Sequence, residues 1–276
     1  MEITLYLALA PPLFVIYIAF QLSDRIRDNE RDIAITTFFL GCLTVVPAFF
    51  LESIYAFLDS IFIQNIPNSL LPHEIKVFLS VLFGIALIEE LCKYSVLRFF
   101  AFKQAEFRSP RDGIIFGVIA SVGFAATENL VYVFVYSSAE NQISVALIRM
   151  FSAVPAHGLM GFFMGYFIGK ATVNNEYQWN IFLGISSATL IHTSYDYFLV
   201  LATASPLLSI AVLLIATLLA IFIIKSQFRG SANQDSTKSS DDSEISKSGQ
   251  VSAVVCSICG STLQPTMNFC YSCGHK

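Results

Sequence analysis

The sequence predicts an all-α protein, a polytopic bundle of about seven transmembrane helices followed by a small C-terminal zinc ribbon. Of its 276 residues, 55% are hydrophobic and only 13% are charged, whereas a soluble domain is typically about a quarter charged. The mean hydropathy is +0.66. Two C-x-x-C pairs near the C-terminal end supply the evidence for the ribbon. The composition therefore excludes an ordinary soluble globular protein.

Seven segments are long and apolar enough to cross a bilayer, since a helical span needs roughly 20 mainly apolar residues. They are unbroken runs of Leu, Ile, Phe, Val and Ala, unlike the ~10-residue alternating strands of a membrane barrel. The first segment lacks the basic n-region of a cleavable signal, so we expect it to be retained. The predicted spans are, approximately, residues 3–22, 33–58, 74–102, 112–137, 143–170, 178–200 and 205–225.

The basic residues alternate between successive loops. Lys and Arg follow spans one, three, five and seven, and the intervening loops at about 59–73, 138–142 and 201–204 contain none. Cytoplasmic loops carry the excess of Lys and Arg. We therefore expect a multi-pass protein of the cell membrane with its N-terminus outside and its C-terminus in the cytoplasm.

The chain divides into three predicted parts. Residues 1–225 form the helical bundle. Residues 226–250 are rich in Ser with scattered charges and almost no apolar side chains, so they cannot bury enough surface to fold and are predicted to be a flexible polar linker. Residues 251–276 form the terminal module.

The terminal module carries two C-x-x-C-G sequences, whose four thiolates can close a tetrahedral structural zinc site. The gap between the pairs is ten residues, which predicts a minimal ribbon that depends on metal to fold. A pair of disulfides is disfavoured in a reducing cytoplasm. The site has no open coordination position, so we expect it to bind a cytoplasmic protein partner or to sense metal. The predicted ligands are Cys256, Cys259, Cys270 and Cys273.

The third predicted span contains Glu89, Glu90 and Lys93 within five residues. A charged side chain at the bilayer centre costs at least ~2.5–3.5 kcal/mol, so such residues are usually paired and functional. At ~100° per residue the two glutamates are adjacent on the helix and Lys93 projects between them. Two carboxylates this close in a low dielectric do not both ionise easily without compensation. The cluster therefore predicts a site that holds a base and an acid.

Three further spans place polar groups at a similar depth. Glu89, Glu128, His157 and His192 each lie roughly 14 to 16 residues from the start of their span, which puts all four near the midplane. Asp196 follows His192 at i+4 and is expected to orient its imidazole. It falls towards the outer leaflet, which predicts a cavity that opens outward. Single polar residues of this kind often serve as interhelical hydrogen bonds, but so many at one level favour a functional site.

Two other features of these spans carry predictions. Gly113, Gly117 and Gly123 give span four a small-residue edge, which is expected to pack against the helix that carries Glu89. Glu52 and Arg149 lie near the predicted outer ends of their spans, and an interfacial location is one explanation for both. Glu52 is left out of the predicted site.

The order of polar motifs from Glu89-Glu90-x-x-Lys93 through Gly123-Phe124-x-x-x-Glu128-Asn129-x-x-Tyr132 to His192-x-x-x-Asp196 resembles that of the PrsW family of intramembrane proteases, which is distantly similar to the CAAX-processing membrane endopeptidases. The resemblance covers about residues 75–200 and depends on the order and placement of the motifs on successive spans. The matching motifs are Glu89-Glu90-x-x-Lys93, Asp112-Gly113, Gly123-Phe124-x-x-x-Glu128-Asn129-x-x-Tyr132, Arg149 with His157, and His192-x-x-x-Asp196.

The resemblance implies hydrolysis of a peptide bond in a single-span membrane protein, by site-1 cleavage of a substrate such as an anti-sigma factor. It implies Glu89 and Glu90 as the water-activating pair, completed by His157 and His192. Lys93, Asn129 or His192 would stabilise the oxyanion. Two forms of the site stay open, since a Glu and two His suit catalytic zinc, whereas the glutamates alone also suffice to activate water.

Two other classes of function remain as alternatives. Buried Glu, Lys, His and Asp also mark proton- or ion-coupled transporters, although these usually show inverted repeats and none is evident here. The second alternative is a non-catalytic membrane receptor or scaffold that displays the zinc ribbon. The expected partners are the lipid bilayer and membrane or cytoplasmic proteins, and no nucleic acid is expected.

Overall fold

The computed structural model describes residues 2–22, 28–105, 107–173, 176–201, 206–241, 254–255 and 262–263. The four cysteines of the predicted ribbon lie outside the described residues. The fold is all-α in its main part, as predicted. Its helices are α1 (Glu2–Leu22), α2 (Asp28–Leu43), α3 (Val45–Phe62), α4 (His73–Val81), α5 (Leu87–Phe99), α6 (Pro110–Val131), α7 (Gln142–Phe151), α8 (Ala153–Val173), α9 (Tyr177–Val200) and α10 (Pro206–Asp241).

Two predicted spans are each divided between two helices. Span two is broken at Thr44, between α2 and α3, and span five is broken at Ser152, between α7 and α8. Span three is continuous but contains a π-helical turn, Leu82–Ala86, that joins α4 to α5. A second π turn, Tyr132–Tyr136, continues α6. The two π turns lie just before Glu89 and just after Glu128. Because π turns often occur at functional sites, their positions favour a functional site at these two glutamates.

Four stretches of helix are long and apolar enough to cross a membrane, namely Arg31–Phe62, Pro110–Tyr136, Gln142–Thr172 and Leu207–Ser226. The other three predicted spans correspond to α1, to α4 through α5, and to α9. The stretch from α4 to α5 has at least three charged residues in every 18-residue window, because Lys76 or Lys93 accompanies the two glutamates. The total of seven spans therefore stays a prediction.

Helix α6 has its start encoded in the sequence. Ser109 is the N-cap, and its hydroxyl accepts a hydrogen bond from the backbone N–H of Asp112 at 3.3 Å. The Ser109 hydroxyl in turn donates to the Asp112 carboxylate at 2.8 Å. Pro110 takes the first helical position, where its missing N–H costs nothing. This cap fixes the register of the helix that carries Glu128.

Glycines bring α6 and α8 into the most extensive helix contact of the bundle. A Cβ atom on Gly117 would lie 2.3 Å from the carbonyl oxygen of Gly161, and one on Gly113 would lie 2.2 Å from that of Gly165. Only glycine permits backbones to approach this closely. Gly161 is one turn after His157, so the same contact brings His157 of α8 towards Glu128 of α6.

The predicted partner of the small-residue edge was therefore wrong. Gly113 and Gly117 face α8, and Gly123 faces the carbonyl of Phe38 in α2. The helix that carries Glu89 packs less closely on α6, because the long side chain of Lys93 and the ring of Phe124 lie between them, with Nζ 4.2 Å from the ring centroid. Small residues on one helix indicate a close approach, but they do not identify the partner.

Helix α10 extends to Asp241, beyond residue 225, where the sequence predicts the bundle to end. After Asp241 the structure describes only residues 254–255 and 262–263. Strands β1 (Val254–Val255) and β2 (Thr262–Leu263) pair antiparallel, with Val254 opposite Leu263. The boundaries of the linker and of the zinc ribbon stay predictions.

Candidate active site

The centre of the site is the ammonium group of Lys93, which is completely buried. Its Nζ lies 3.0 Å from Oε2 of Glu89 and 2.8 Å from Oε1 of Glu90. A third contact of 3.0 Å joins it to Nδ1 of His157. An ammonium has three N–H donors and no acceptor, so these three contacts use all of them. The cluster predicted on one helix face is present, and it extends to His157 on α8.

His157 connects Lys93 to Glu128. Because Lys93 donates to Nδ1, the ring proton of the neutral imidazole lies on Nε2, which donates to Oε2 of Glu128 at 2.8 Å. The same oxygen accepts a 2.7 Å hydrogen bond from Nη2 of Arg149. Glu128 is therefore held by an imidazole on one side and a guanidinium on the other.

His192 lies between two carboxylates. Its Nδ1 is 2.9 Å from Oε1 of Glu90, and its Nε2 is 3.1 Å from Oδ2 of Asp196. The imidazolium form, with a proton on each nitrogen, satisfies both contacts. The His192 ring is also 5.6 Å from that of His157, centroid to centroid. Asp196 therefore orients His192 as its i+4 spacing predicts.

Asn129 holds Arg149 in place. Its Oδ1 accepts a 2.7 Å hydrogen bond from Nε of Arg149, and its Nδ2 donates to the backbone carbonyl of Ala8 in α1 at 3.3 Å. Asn129 is 1% exposed. Its amide therefore connects α1, α6 and α7 and stabilises the position of the guanidinium.

A cavity of about 340 Å³ lies against this network. Five of the eight side chains predicted for the site line it, and within the described part of the chain Glu90, Lys93 and Asn129 lie behind the wall. The five in the wall are Glu89, Glu128, His157, His192 and Asp196. The rest of the wall is largely apolar, with Val145 and Ile148 of α7 and Leu199 and Val200 of α9. These helix ends are the ones the sequence places on the outer side.

The structure adds contacts for one charged residue near the predicted outer end of its span. Arg149, for which an interfacial location was one explanation and the family motif another, lines the cavity and bonds to both Glu128 and Asn129. In the sequence, the evidence that Arg149 is paired is its position within an apolar segment, where an unpaired guanidinium is costly.

Glu52, which was left out of the predicted site, has a buried Oε1 with no hydrogen-bond partner among the described residues.

Two groups of side chains bring donor atoms close enough to hold a metal ion. The donor atoms within each group lie within 4.8 Å of one another, and the groups are Glu89, Glu90 and His192, and Glu89, Glu128 and His157. Carboxylate and imidazole are ordinary zinc ligands, so the donor chemistry fits a catalytic metal. All of the second group lines the cavity, whereas Glu90 in the first group lies behind the wall.

Comparison with known proteins places the chain in a family. Residues 29–224 match the model of the PrsW family intramembrane metalloprotease. Protease PrsW of Halalkalibacterium halodurans is 32% identical over 200 residues, 72% of this chain and 84% of the relative. Protease PrsW of Shouchella clausii is 30% identical over 199 residues, 71% and 84% of the two chains. That of Bacillus subtilis is 28% identical over 183 residues, 65% and 75% of the two chains.

No solved structure matches the chain. The family match spans α2 to α10 and so includes every helix that lines the cavity. Together with the apolar helices, it identifies a multi-pass membrane protein. The chain belongs to the PrsW family of intramembrane metalloproteases.

Proposed function

We propose that the chain is an intramembrane endopeptidase that hydrolyses a peptide bond of a membrane-spanning protein in the cavity beside Lys93. The observation that carries the proposal is the burial of one ammonium among two carboxylates and an imidazole, directly behind the wall of a 340 Å³ cavity. Such a network holds acid and base groups in fixed positions within a low dielectric, where their electrostatic effect is strongest. Its relatives carry the name of a protease.

Glu89 is the proposed general base. It is the only one of the paired glutamates in the described cavity wall, and Lys93 holds its carboxylate by a 3.0 Å contact. In the reaction it takes a proton from water while the water oxygen attacks the peptide carbonyl carbon. Glu90 and Lys93 act behind it as positioning residues.

His192 is the proposed general acid. Its imidazolium lines the cavity and is oriented by Asp196 through the 3.1 Å contact. It gives a proton to the peptide nitrogen as the carbon–nitrogen bond breaks, so the amine leaves neutral. Asp196 stabilises the imidazolium without itself taking part in the proton transfer.

Glu89, Glu128 and His157 are the residues that would hold the metal ion of the family, and zinc is the ion their chemistry favours. When bound there, a metal supplies Lewis-acid polarisation and activation of water. Arg149, through its contact with Glu128, and Lys93, through its contact with Glu89, would orient these ligands. His157 would give up its contact with Lys93 to free a lone pair for the metal. His192, oriented by Asp196, is the proposed general acid whether or not the site holds a metal.

The substrate we propose is a single-span membrane protein, cleaved at site 1 of a signalling pathway, with an anti-sigma factor as one example. The ribbon at Cys256, Cys259, Cys270 and Cys273 would hold a structural zinc and present a surface to a cytoplasmic partner. Both proposals come from the family resemblance and from the cysteine spacing.

The test is to co-express the full chain with candidate single-span proteins, each carrying a tag at both ends, and to follow their cleavage. We expect Glu89→Gln and Glu90→Gln to lose the cleavage product at a normal amount of enzyme. Glu140→Gln, in an exposed loop, is the matched control and should cleave as the wild type does. Unchanged cleavage in both site variants would end the mechanism proposed here, and no cleavage by the wild type would favour a scaffold.

A further inference from the structure

We propose that Arg149 is a catalytic residue that donates hydrogen bonds to the carbonyl oxygen of the scissile peptide. This inference rests on the proposed peptidase function and adds the group that stabilises the developing oxyanion. Sequence reasoning assigned that task to Lys93, Asn129 or His192. The structure assigns different tasks to all three.

The hydrogen-bond donors of the other candidates are already used. Lys93 gives its three N–H groups to Glu89, Glu90 and His157. Both nitrogens of His192 face carboxylates. Asn129 lies behind the cavity wall, and its Nδ2 donates to the carbonyl of Ala8. Both nitrogens of His157 are also engaged, one with Lys93 and one with Glu128. Lys93 and His157 would have to break a buried contact before either could bind a substrate oxygen. His192 needs only to turn from the more exposed Asp196, and the proton it releases there is used for the leaving amine.

Arg149 differs because a guanidinium has five N–H donors in one plane. Among the described residues, Nε serves Asn129 and one N–H of Nη2 serves Glu128. The other N–H groups lie on the same planar fork, and the side chain is 14% exposed and lines the cavity. The cavity wall therefore contains both Glu89 and the Arg149 guanidinium, whose remaining N–H groups can donate hydrogen bonds to a substrate.

The guanidinium is also held rigidly. Its carbon lies 4.0 Å from the centroid of the Tyr132 ring, and its two hydrogen bonds, each 2.7 Å, fix its plane. Asn129 is itself bonded to Ala8 of α1. A donor fixed before the reaction needs no reorganisation during it, which is the property of an effective oxyanion site.

In the proposed step, the water oxygen forms a bond to the carbonyl carbon and the π electron pair moves onto the carbonyl oxygen. Arg149 donates hydrogen bonds to that oxyanion and keeps its own protons. When the electron pair returns, the carbon–nitrogen bond breaks and the amine leaves with the proton from His192. Arg149 is unchanged at the end of the cycle.

The test uses the full chain in detergent micelles and a doubly tagged single-span reporter that the wild type cleaves. Arg149→Lys keeps a cation beside Glu128 but loses the planar fork. We expect kcat to fall about 100-fold, the typical loss for one oxyanion donor, with KM and Tm close to wild type. Arg98→Lys, the same exchange on α5 away from the cavity, should leave kcat unchanged.

A second variant separates catalysis from folding. Arg149→Gly leaves space for free guanidinium, and we expect millimolar guanidinium, but not methylammonium, to restore part of its kcat. A loss of activity that follows a loss of Tm, with no rescue, would reduce Arg149 to a structural role. A loss in Tyr132→Phe equal to that in Arg149→Lys would instead assign the donor to the Tyr132 hydroxyl, which also lines the cavity.

The outcomes for the two proposals are distinct. If the wild type cleaves the reporter and Arg149→Lys retains its kcat, only the role of Arg149 is overturned. If the wild type cleaves no reporter, the peptidase function itself fails and Arg149 has no oxyanion to stabilise.

Discussion

The ammonium of Lys93 lies 2.8 Å from Oε1 of Glu90, and neither side chain has any exposed surface. Taking two charges out of water is expensive, and their attraction compensates only when the remaining donors and acceptors are also satisfied. Glu89 and His157 complete the donors of Lys93, whereas Oε2 of Glu90 has no partner among the described residues. The geometry that we propose for catalysis is therefore maintained at a cost in stability.

Removing both members of this pair should cost less than the sum of the two single removals. Lys93→Met leaves buried carboxylates without their cation, and we expect a loss of about 3–5 kcal/mol in the free energy of unfolding. The double variant Lys93→Met with Glu90→Gln should lose less than the sum of the two single variants. Denaturation in detergent micelles measures all three. Lys103→Met, exposed beyond α5, is the control, and additive losses would contradict the coupling.

Helix periodicity and depth could predict much of this site from the sequence. The helical wheel puts Lys93 between Glu89 and Glu90, and the structure has it bonded to both. The depth argument brings Glu128, His157 and His192 to one level, and hydrogen bonds connect all three to the Lys93 cluster. These predictions succeed because an α-helix has a fixed rise and turn per residue.

Packing between helices was less predictable. Span five was predicted as one helix, but a break at Ser152 separates α7 from α8, and Arg149 reaches Glu128 from the shorter helix, α7. Hydropathy does not show that break, because the residues on both sides are apolar. The glycine edge of α6 was likewise assigned to the wrong neighbour, since small side chains do not specify a partner.

Asp196→Asn should impair catalysis more than folding. Asp196 has the most exposed side chain of the carboxylates around His192, at 23%, so its replacement disturbs little packing. The asparagine no longer stabilises the imidazolium that we propose as the general acid. We expect kcat to fall by about 10²-fold or more, with Tm near wild type. Reporter cleavage by the purified variant checks this, and a full kcat would remove His192 and Asp196 from the acid role.

Gly117→Ala should disturb the site from a distance. The new Cβ would meet the Gly161 carbonyl oxygen at 2.3 Å, so α6 and α8 must separate, and with them Glu128 and His157. We expect a loss of about 1–3 kcal/mol in stability, as for other overpacked positions, together with slower cleavage. Gly158→Ala is a close control, because nothing lies within 4 Å of its added Cβ. Equal effects of the two substitutions would mean that the close contact does not support the site.

Metal analysis should find two separate zinc sites in the full chain. We expect about one equivalent at the cysteines and about one at the Glu and His cluster, since both donor sets suit zinc. A variant with Cys256→Ser and Cys270→Ser should lose only the first. His157→Ala and, as a second variant, Glu128→Ala should each lose only the zinc at the Glu and His cluster, because both residues belong to a group with donor atoms within 4.8 Å of one another.

If the cysteine variant binds no metal and still cleaves its reporter at the wild-type rate, the glutamates activate water alone. Retention of the second equivalent in both alanine variants would assign that metal to other ligands.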